Sequence, residues 1–588
     1  MRSTIKIVIL LFFICISMSG ASFPDMEKYM RQHALIWEQL PMQWNEGAFL
    51  GNGLVGMMVY ADSTLNALVF HLGRPDVTDH RKAPYRKTSI GTEEADKMVD
   101  FCRLDVGKML LFPEGKILSG TFYLDIYNAE LTGHLKTDKG DLTFHAYTPQ
   151  PEEVNIVEVS SGVPYRWKGI PGNPCSPRIR VFPHLKEKLK YKDNPAPVVN
   201  QKDKEGSWVQ SLLAGGDYAT YWKEVPGGKS RSVLYVSTAN EVPASSLSLA
   251  KAMKTVEATQ ITGTKLLKQK TRQWWNAYHE RSFLSIPDKK LENFYFIQMY
   301  KLATCSHPDG PAMDVMGTFF KLSPWPSFWW NLNIQLTYMP IGPANRMEQG
   351  KNFQRLMDEV FPSLVRSIEP CKIGDYTWAL QNYYMYLRYA GADWQDIKQQ
   401  VVPKALDAFA VFDKILCYKE NTWHLTHIES PEYEGFQKYN DSNYGLASLS
   451  WLLQTLIACH DRTSSTHPDY ARWKEILTRL APYPTNENGL MIAANKPLEK
   501  SHRHYSHLLA FYPFRLLHPD VPENRKFLEK SIEHWLSLED GKGLAGYSYT
   551  GAASLYAYLG NGNKAYERLA HFINKPIGIS ILLPNTFY

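Results

Sequence analysis

Three groups of polar side chains in this sequence are of types that could do chemistry. The first is Asn331-Leu332-Asn333-Ile334-Gln335, three carboxamides two residues apart in a stretch otherwise rich in aromatic and aliphatic residues. Buried carboxamides are costly unless their donors and acceptors find partners. These amides therefore either brace loops and helix caps or orient a substrate hydroxyl or a water. The second group is His427-Ile428-Glu429-Ser430-Pro431-Glu432-Tyr433-Glu434-Gly435, in which Pro431 and Gly435 constrain a loop carrying several carboxylates. A carboxyl held against apolar walls has a raised pKa and suits a general acid, whereas solvated loop carboxylates would carry no chemistry. The third is His502-Arg503-His504-Tyr505-Ser506-His507-Leu508. Its spacing matches no recognised zinc motif, so no metal or other cofactor is expected. Arg and His can instead grip sugar hydroxyls or a carboxylate through directional hydrogen bonds, and a structural histidine is the plainer alternative.

The elements that must position these groups fall into two halves. From about Trp44 to Thr238 the pattern has period two with turn residues between runs, as in Leu142-Thr143-Phe144-His145-Ala146-Tyr147 after the turn Thr137-Asp138-Lys139-Gly140. Gly120 opens the neighbouring run Thr121 to Ile126, and Val154 to Val159 and Val233 to Val236 add further strands. This predicts an antiparallel β-sandwich over residues 24–255. Residues 256–288 then read as a helical linker, with Leu266, Leu267, Trp274, Trp275 and Tyr278 at helical spacing, closed by Ser285-Ile286-Pro287-Asp288.

From residue 289 to 588 helical patterns recur: near 290–305, 329–339, 346–367, 376–390, 394–418, 442–459, 469–480, 503–517, 523–538, 548–559 and 562–573. These are about eleven segments, one fewer than a closed (α/α)6 toroid of six helix pairs requires. The expectation is a sandwich followed by a toroid lacking its closing helix, in a chain of 588 residues that is too long for one core. The final run Ile577 to Pro584 is unusually apolar for a chain end.

Composition narrows the function. A net charge of +6 with no basic stripe argues against nucleic acid. Aromatic content of 13% suits a sugar-handling protein, because rings stack on the apolar faces of pyranoses. Trp325, Trp329 and Trp330 are the candidates for such stacking. Residues 1–21, with Arg2 and Lys6 before the apolar run Ile7 to Ile16, read as a secretory signal peptide rather than a membrane span. The expected location is outside the cytoplasm, secreted or periplasmic. Cys102, Cys175, Cys305, Cys371, Cys417 and Cys459 are scattered, so buried thiols or an isolated disulfide are expected.

The order Gly51-Asn52-Gly53-Leu54-Val55-Gly56, Asn331-Leu332-Asn333, Ser430-Pro431-Glu432, His502 to Leu508 and Gly546-Tyr547-Ser548 resembles glycoside hydrolase family 95. That family comprises inverting α-L-fucosidases with some α-L-galactosidases. The resemblance implies Glu432 as general acid, Asn331 and Asn333 as the amides that position the attacking water, and an exo-acting enzyme on fucosylated or related oligosaccharides. His502, Arg503, His504 and His507 are expected to bind substrate beside Trp329 and Trp330. Inversion calls for a base about 6.5 to 9.5 Å from the acid. The family's base Asp is not found before Tyr588, so the expectation is a truncated copy, active or inactive as given, the alternative being a lost or relocated base with Asp441 and Glu429 as candidate substitutes. Other readings are an α-L-galactosidase, a polysaccharide lyase using Tyr505 and His504, or a non-catalytic glycan-binding protein.

Overall fold

A computed structural model describes residues 25–82, 97–242, 247–435 and 437–574. The proposed signal peptide and the apolar run Ile577 to Pro584 lie outside the described residues. The N-terminal part is two antiparallel sheets packed face to face. The larger runs, in spatial order, Leu35–Trp37, Ile117–Asp125, Glu130–Thr137, Asp141–Tyr147, Val154–Ser161, Arg231–Glu241, Asp217–Gly228, Glu205–Ser211 and Val198–Gln201. The smaller runs Tyr165–Ile170, Lys108–Pro113, Ala67–Gly73, Gly56–Asp62 and Ala48–Gly51. Period-two sequence becomes alternating burial, as along Glu130–Thr137, where Leu131 and Leu135 turn inward. Phe70, Phe122, Phe144 and Trp167 meet between the sheets.

Two helices come next, Ser248–Thr262 and Thr264–His279, separated at Gly263, whose φ of +79° ends the first. The first begins inside the span read as sandwich, because it packs on the strands Asp217–Gly228 and Arg231–Glu241. The second turns Leu267, Thr271, Trp275 and Tyr278 inward, and Trp275 reaches Tyr300 of the first long helix of the C-terminal part.

That helix, Lys289–Cys305, is capped by the Asp288 carboxylate, which accepts from the backbone N–H groups of Lys290 and Leu291. Paired helices then continue to Asn574, and three of them, Ile373–Tyr389, Asn443–Thr463 and Gly546–Tyr558, support the candidate site. Several expected helices are shorter. The 346–367 segment breaks at Val360 and the 394–418 segment at Val401, each just before a proline in the first turn of the next helix. Leu416–Lys419 pairs as a strand with Thr422–Leu425. The helix expected at 503–517 does not form; only the short turn Ser506–Leu508 is helical, since Pro513 cannot donate and Arg515 is left-handed. The expected 329–339 helix is reduced to Asn333–Tyr338.

Glycines make the joint between the two parts. A Cβ on Gly51 would stand 2.8 Å from the Thr304 carbonyl oxygen, and one on Gly53 would lie 2.4 Å from the Ser306 carbonyl carbon. Gly53 also has φ +82°, so only glycine sits there without strain. Asn52 between them is fully used: Nδ2 donates to the carbonyls of Pro149 and Glu152, and Oδ1 accepts from the N–H groups of Leu54 and Val55. Arg103 crosses the same joint to Asp314 at 3.1 Å and to the Gly317 carbonyl at 2.7 Å. The six cysteines of the described part are free thiols, with Cys417 exposed. Among the described residues no helix is long and apolar enough to cross a membrane.

Candidate active site

The acid loop and the histidine segment, distant in sequence, meet. Arg503 donates from Nη2 to Oε2 of Glu432, and His504 Nε2 lies 3.2 Å from the same oxygen. His502 donates from Nε2 to the Pro431 carbonyl at 3.1 Å, and the hydroxyls of Ser430 and Ser506 pair at 3.0 Å. Four consecutive contacts therefore lock residues 430–432 onto 502–506. The segment is held from behind by Trp535, which donates to the His502 carbonyl, and by Ser548, which donates to that of Arg503. Gly546-Tyr547-Ser548 thus serves as support for the histidine segment.

Backbone strain gathers at this loop. His427, Glu432, Glu434 and Asp441 all have positive φ, with Glu432 at +57°. Left-handed non-glycine residues cost energy and persist where surrounding contacts fix them, often at functional sites. The amide turn shows the same feature: Leu332, between Asn331 and Asn333, has φ +53°.

The electrostatics of Glu432 differ from the sequence expectation of a raised pKa. Burial does push the carboxyl up, but the hydrogen bond from His504 and the charge of Arg503 outweigh it and hold Glu432 at about 2. Burial holds His502 down to about 4 and His507 down to about 3, and lowers His504 as well. Burial thus disfavours the charged form of each imidazole, and the Arg503 guanidinium stands beside the acid as well. The Glu432 side chain is 12% exposed and that of Arg503 39%.

On the other side, Asn331 is buried, and its Oδ1 has no donor among the described residues. Asn333 is nearly buried at the first position of its helix. Gln335 is a brace: Nε2 donates to the carbonyls of both Trp330 and Asp375, and Asn382 Nδ2 donates to the Gln335 carbonyl. The amide turn is thereby fastened to the helix Ile373–Tyr389.

The tryptophans are not open platforms. Trp330 stacks on Tyr376 with ring centroids 5.1 Å apart, and Trp329 packs among Phe101, Val315 and Trp325. Each indole N–H is buried without an acceptor among the described residues. His507 is enclosed in the core beneath the histidine segment. Of the substitute bases, Asp441 is committed to His424 at 2.7 Å and to the Leu425 N–H at 2.8 Å. Glu429 is buried, which raises its pKa, against Lys372 at 3.7 Å and the Cys371 thiol at 3.5 Å.

Sequence reasoning did not single out Asp375. It lies in the first turn of Ile373–Tyr389, where its Oδ1 accepts from the Tyr444 hydroxyl at 2.6 Å. Burial raises its carboxyl to about 7 against the Tyr444 hydrogen bond, with Glu429 and Glu432 adding to the rise and Lys372 opposing it. Among the described residues no group of three or more His, Cys, Asp or Glu is placed to hold a metal ion.

An antiparallel β-sandwich followed by paired helices places this protein in the sandwich-plus-(α/α)6-toroid fold class. Residues 371–587 match the model of the glycosyl hydrolase family 95 catalytic domain. The protein is a glycoside hydrolase, whose substrate is an oligosaccharide. Among solved structures, a putative kojibiose phosphorylase from the human microbiome shares the fold with a TM-score of 0.59 at 9% identity, over 94% of this chain and 87% of that one. A bacterial glucoamylase complexed with acarbose gives 0.49 at 10% identity, over 92% of each chain. A family GH92 alpha-mannosidase from Bacteroides thetaiotaomicron gives 0.40 at 8%, over 93% and 82%. No curated protein matches the chain by sequence.

Proposed function

We propose that this protein is an exo-acting, inverting hydrolase of the α-L-fucosidase type that works outside the cytoplasm. In this reading Glu432 protonates the departing glycosidic oxygen, and Asn331 and Asn333 hold the attacking water. The observation that carries it is the Asn331 Oδ1, a buried acceptor lacking a donor among the described residues, since a water or sugar hydroxyl would satisfy it. Glu432 supports the reading through its position rather than its resting charge. Arg503 is the exposed member of the pair, so a substrate group can draw it away from Glu432. Losing that cation moves the carboxyl upward, in the direction a general acid needs, with the His504 hydrogen bond still opposing burial. His502, His504 and Arg503 then line the sugar site, and the buried Trp329 and Trp330 shape its floor.

The test is sugar release from aryl α-L-fucoside and aryl α-L-galactoside, with the anomer of the first product read by NMR. Release of fucose as the inverted anomer supports the proposal. Cleavage of the galactoside alone, or retention of configuration, sinks it. A lyase reading is disfavoured because Tyr505 is enclosed, stacked on Tyr547 with ring centroids 5.0 Å apart.

A further inference from the structure

The outer face of the large sheet is apolar where one helix covers it and polar where another stands off from it. Under Ser248–Thr262 it presents Tyr147, Ile156 and Tyr235, which the strand register sets side by side. Two residues further along the same strands, the same face presents Thr132, His145 and Glu158 in one row and Thr143, Ser160 and Arg231 in the next. The helix Thr264–His279 overhangs these polar rows. Its four-residue spacing puts Lys268, Arg272 and Asn276 on one stripe and Lys265, Gln269 and Gln273 on the next, while Leu267, Thr271 and Trp275 turn to the core. Sheet and helix thereby enclose a groove of about 960 Å³ with a polar floor and a polar wall.

The four cations of the groove are not equally provided for. Lys268 is paired with Glu158 at 2.8 Å and Arg272 with Glu130 at 2.7 Å, and Arg272 also feels the charges of Asp125 and Glu27. Arg231 on the floor and Lys265 on the wall are exposed and make no ion pair among the described residues. The helix crosses the strands, with Arg272 over Glu130 and Lys268 over Glu158 two strands away, so its first turn, with Lys265, lies toward the strand of Arg231. Unspent positive charge therefore collects at one end of the groove. A protein partner would want an apolar centre to its contact, and nucleic acid a longer row of cations. The groove offers neither. It also offers no open ring on which a neutral sugar could stack, because Phe144, the aromatic residue of its lining, is turned between the sheets against Phe70 and Phe122. Hydroxyls and exposed amides remain for sugar hydroxyls, and the two free cations remain for an acidic group.

We propose that this groove is a second glycan site, on the sandwich, that binds an oligosaccharide carrying acidic units. Arg231 and Lys265 hold the anionic group, a uronate carboxylate or a sulfate ester, and Gln269 and Gln273 meet hydroxyls of the adjoining units. The groove shares no lining residue with the site around Glu432. Its occupant depends on the protein being a glycoside hydrolase and not on its being of the α-L-fucosidase type.

The experiment is a calorimetric titration of the full chain carrying Glu432→Gln, so that cleavage does not interfere, with oligogalacturonides, chondroitin sulfate oligosaccharides and neutral galacto-oligosaccharides. At least one acidic series is expected to bind and the neutral series not to. Binding of the first series alone assigns the carboxylate, and of the second alone the sulfate ester. Arg231→Ala and Lys265→Ala should each lower the affinity about tenfold, the scale of one lost charge-assisted hydrogen bond, and the double variant should lose binding. Failure of both acidic series to bind, equal binding of the neutral one, or an affinity unchanged in the double variant overturns the proposal. So does equal binding of polyglutamate, which has the charge without the sugar hydroxyls. Both side chains are exposed, so the variants are expected to melt with wild type. In the chain with Glu432 intact they should cleave an aryl glycoside at the wild-type rate, and loss of that activity would show that the groove is not a separate site. If no aryl glycoside is cleaved by any form, the α-L-fucosidase reading fails while the titration still decides what the groove binds.

Discussion

The joint at Gly51 to Gly56 and the site around Glu432 are both built from short motifs of Gly, Asn, Ser and Pro, and they do opposite things with them. At the joint every polar atom of Asn52 is used, four hydrogen bonds in all, and the glycines admit another backbone to within contact. At the site Asn331 keeps an acceptor unused among the described residues, Glu432 sits in a left-handed conformation, and the acid is tied to an arginine that is part exposed. Motifs of equal sequence distinctness thus divide by their polar accounting. A saturated motif is packing, and one with surplus capacity and strain is available for a ligand.

The sharpest way to break this contrast is at Glu432. Glu432→Gln is expected to lower kcat on a cleaved glycoside about 10³-fold, as loss of a general acid does, with a loss of stability no larger than that of Glu130→Gln, since both carboxyls are held at about 2. A fall in stability with kcat retained would put Glu432 with the joint. Gly53→Ala should do the reverse, costing about 3 kcal/mol in denaturant unfolding through strain at φ +82° and collision with Ser306. Its activity per folded molecule should stay near wild type. A third pair uses one residue type in both places. Asn52→Ala is expected to cost about 2 kcal/mol by stranding buried partners, and Asn331→Ala under about 1 kcal/mol. Asn331→Ala should instead lower kcat about 100-fold, the scale seen on losing a positioned polar group.

What the sequence made legible is what depends on neighbours along the chain. Alternation gave the strands around Leu142 to Tyr147, and helical spacing gave Lys289–Cys305 and Asn443–Thr463 closely. Helix breaks at Val360 and Val401 were written as the prolines that come after them, and went unread because apolar periodicity runs across them. The segment 503–517 looked helical from its apolar residues, yet its polar groups are spent on Glu432, Pro431 and Ser430. The site was less legible, because its electrostatics are set by contacts far apart in sequence. Arg503 stands 71 residues from Glu432, and Tyr444 69 residues from Asp375. Asp375 carries the disguise of an ordinary acid in a helix's first turn, where the macrodipole welcomes one. Tryptophans at 329 and 330 suited sugar stacking by type, and only the partner rings show both to be enclosed.

The smallest expected effect compares two Glu–Arg pairs of similar depressed pKa. Glu130, on a sandwich strand, accepts from Arg272 of the linker helix at 2.7 Å and pairs with His145 at 2.8 Å. Burial raises its carboxyl, but those partners outweigh it and hold Glu130 at about 2, much as Arg503 and His504 hold Glu432. A carboxyl whose folded pKa lies below its unfolded value contributes stability that is present above the unfolded pKa and lost as pH falls through the folded one. The window therefore runs from about 4.5 down to about 2. The Arg272 side chain is 49% exposed, so solvent screening reduces the contribution to about 1 kcal/mol at neutral pH. Glu130→Gln should show that deficit in urea unfolding at pH 7 and lose it near the bottom of the window. Nothing that binds at the sugar site should alter it, since the Glu130 pair joins two packed elements that stay in place. Glu432 should respond in the opposite way: a bound fucoside that draws off Arg503 must raise its pKa, visible as proton uptake on binding. Equal behaviour of the two pairs toward ligand would mean that Arg503, like Arg272, is only a fastening.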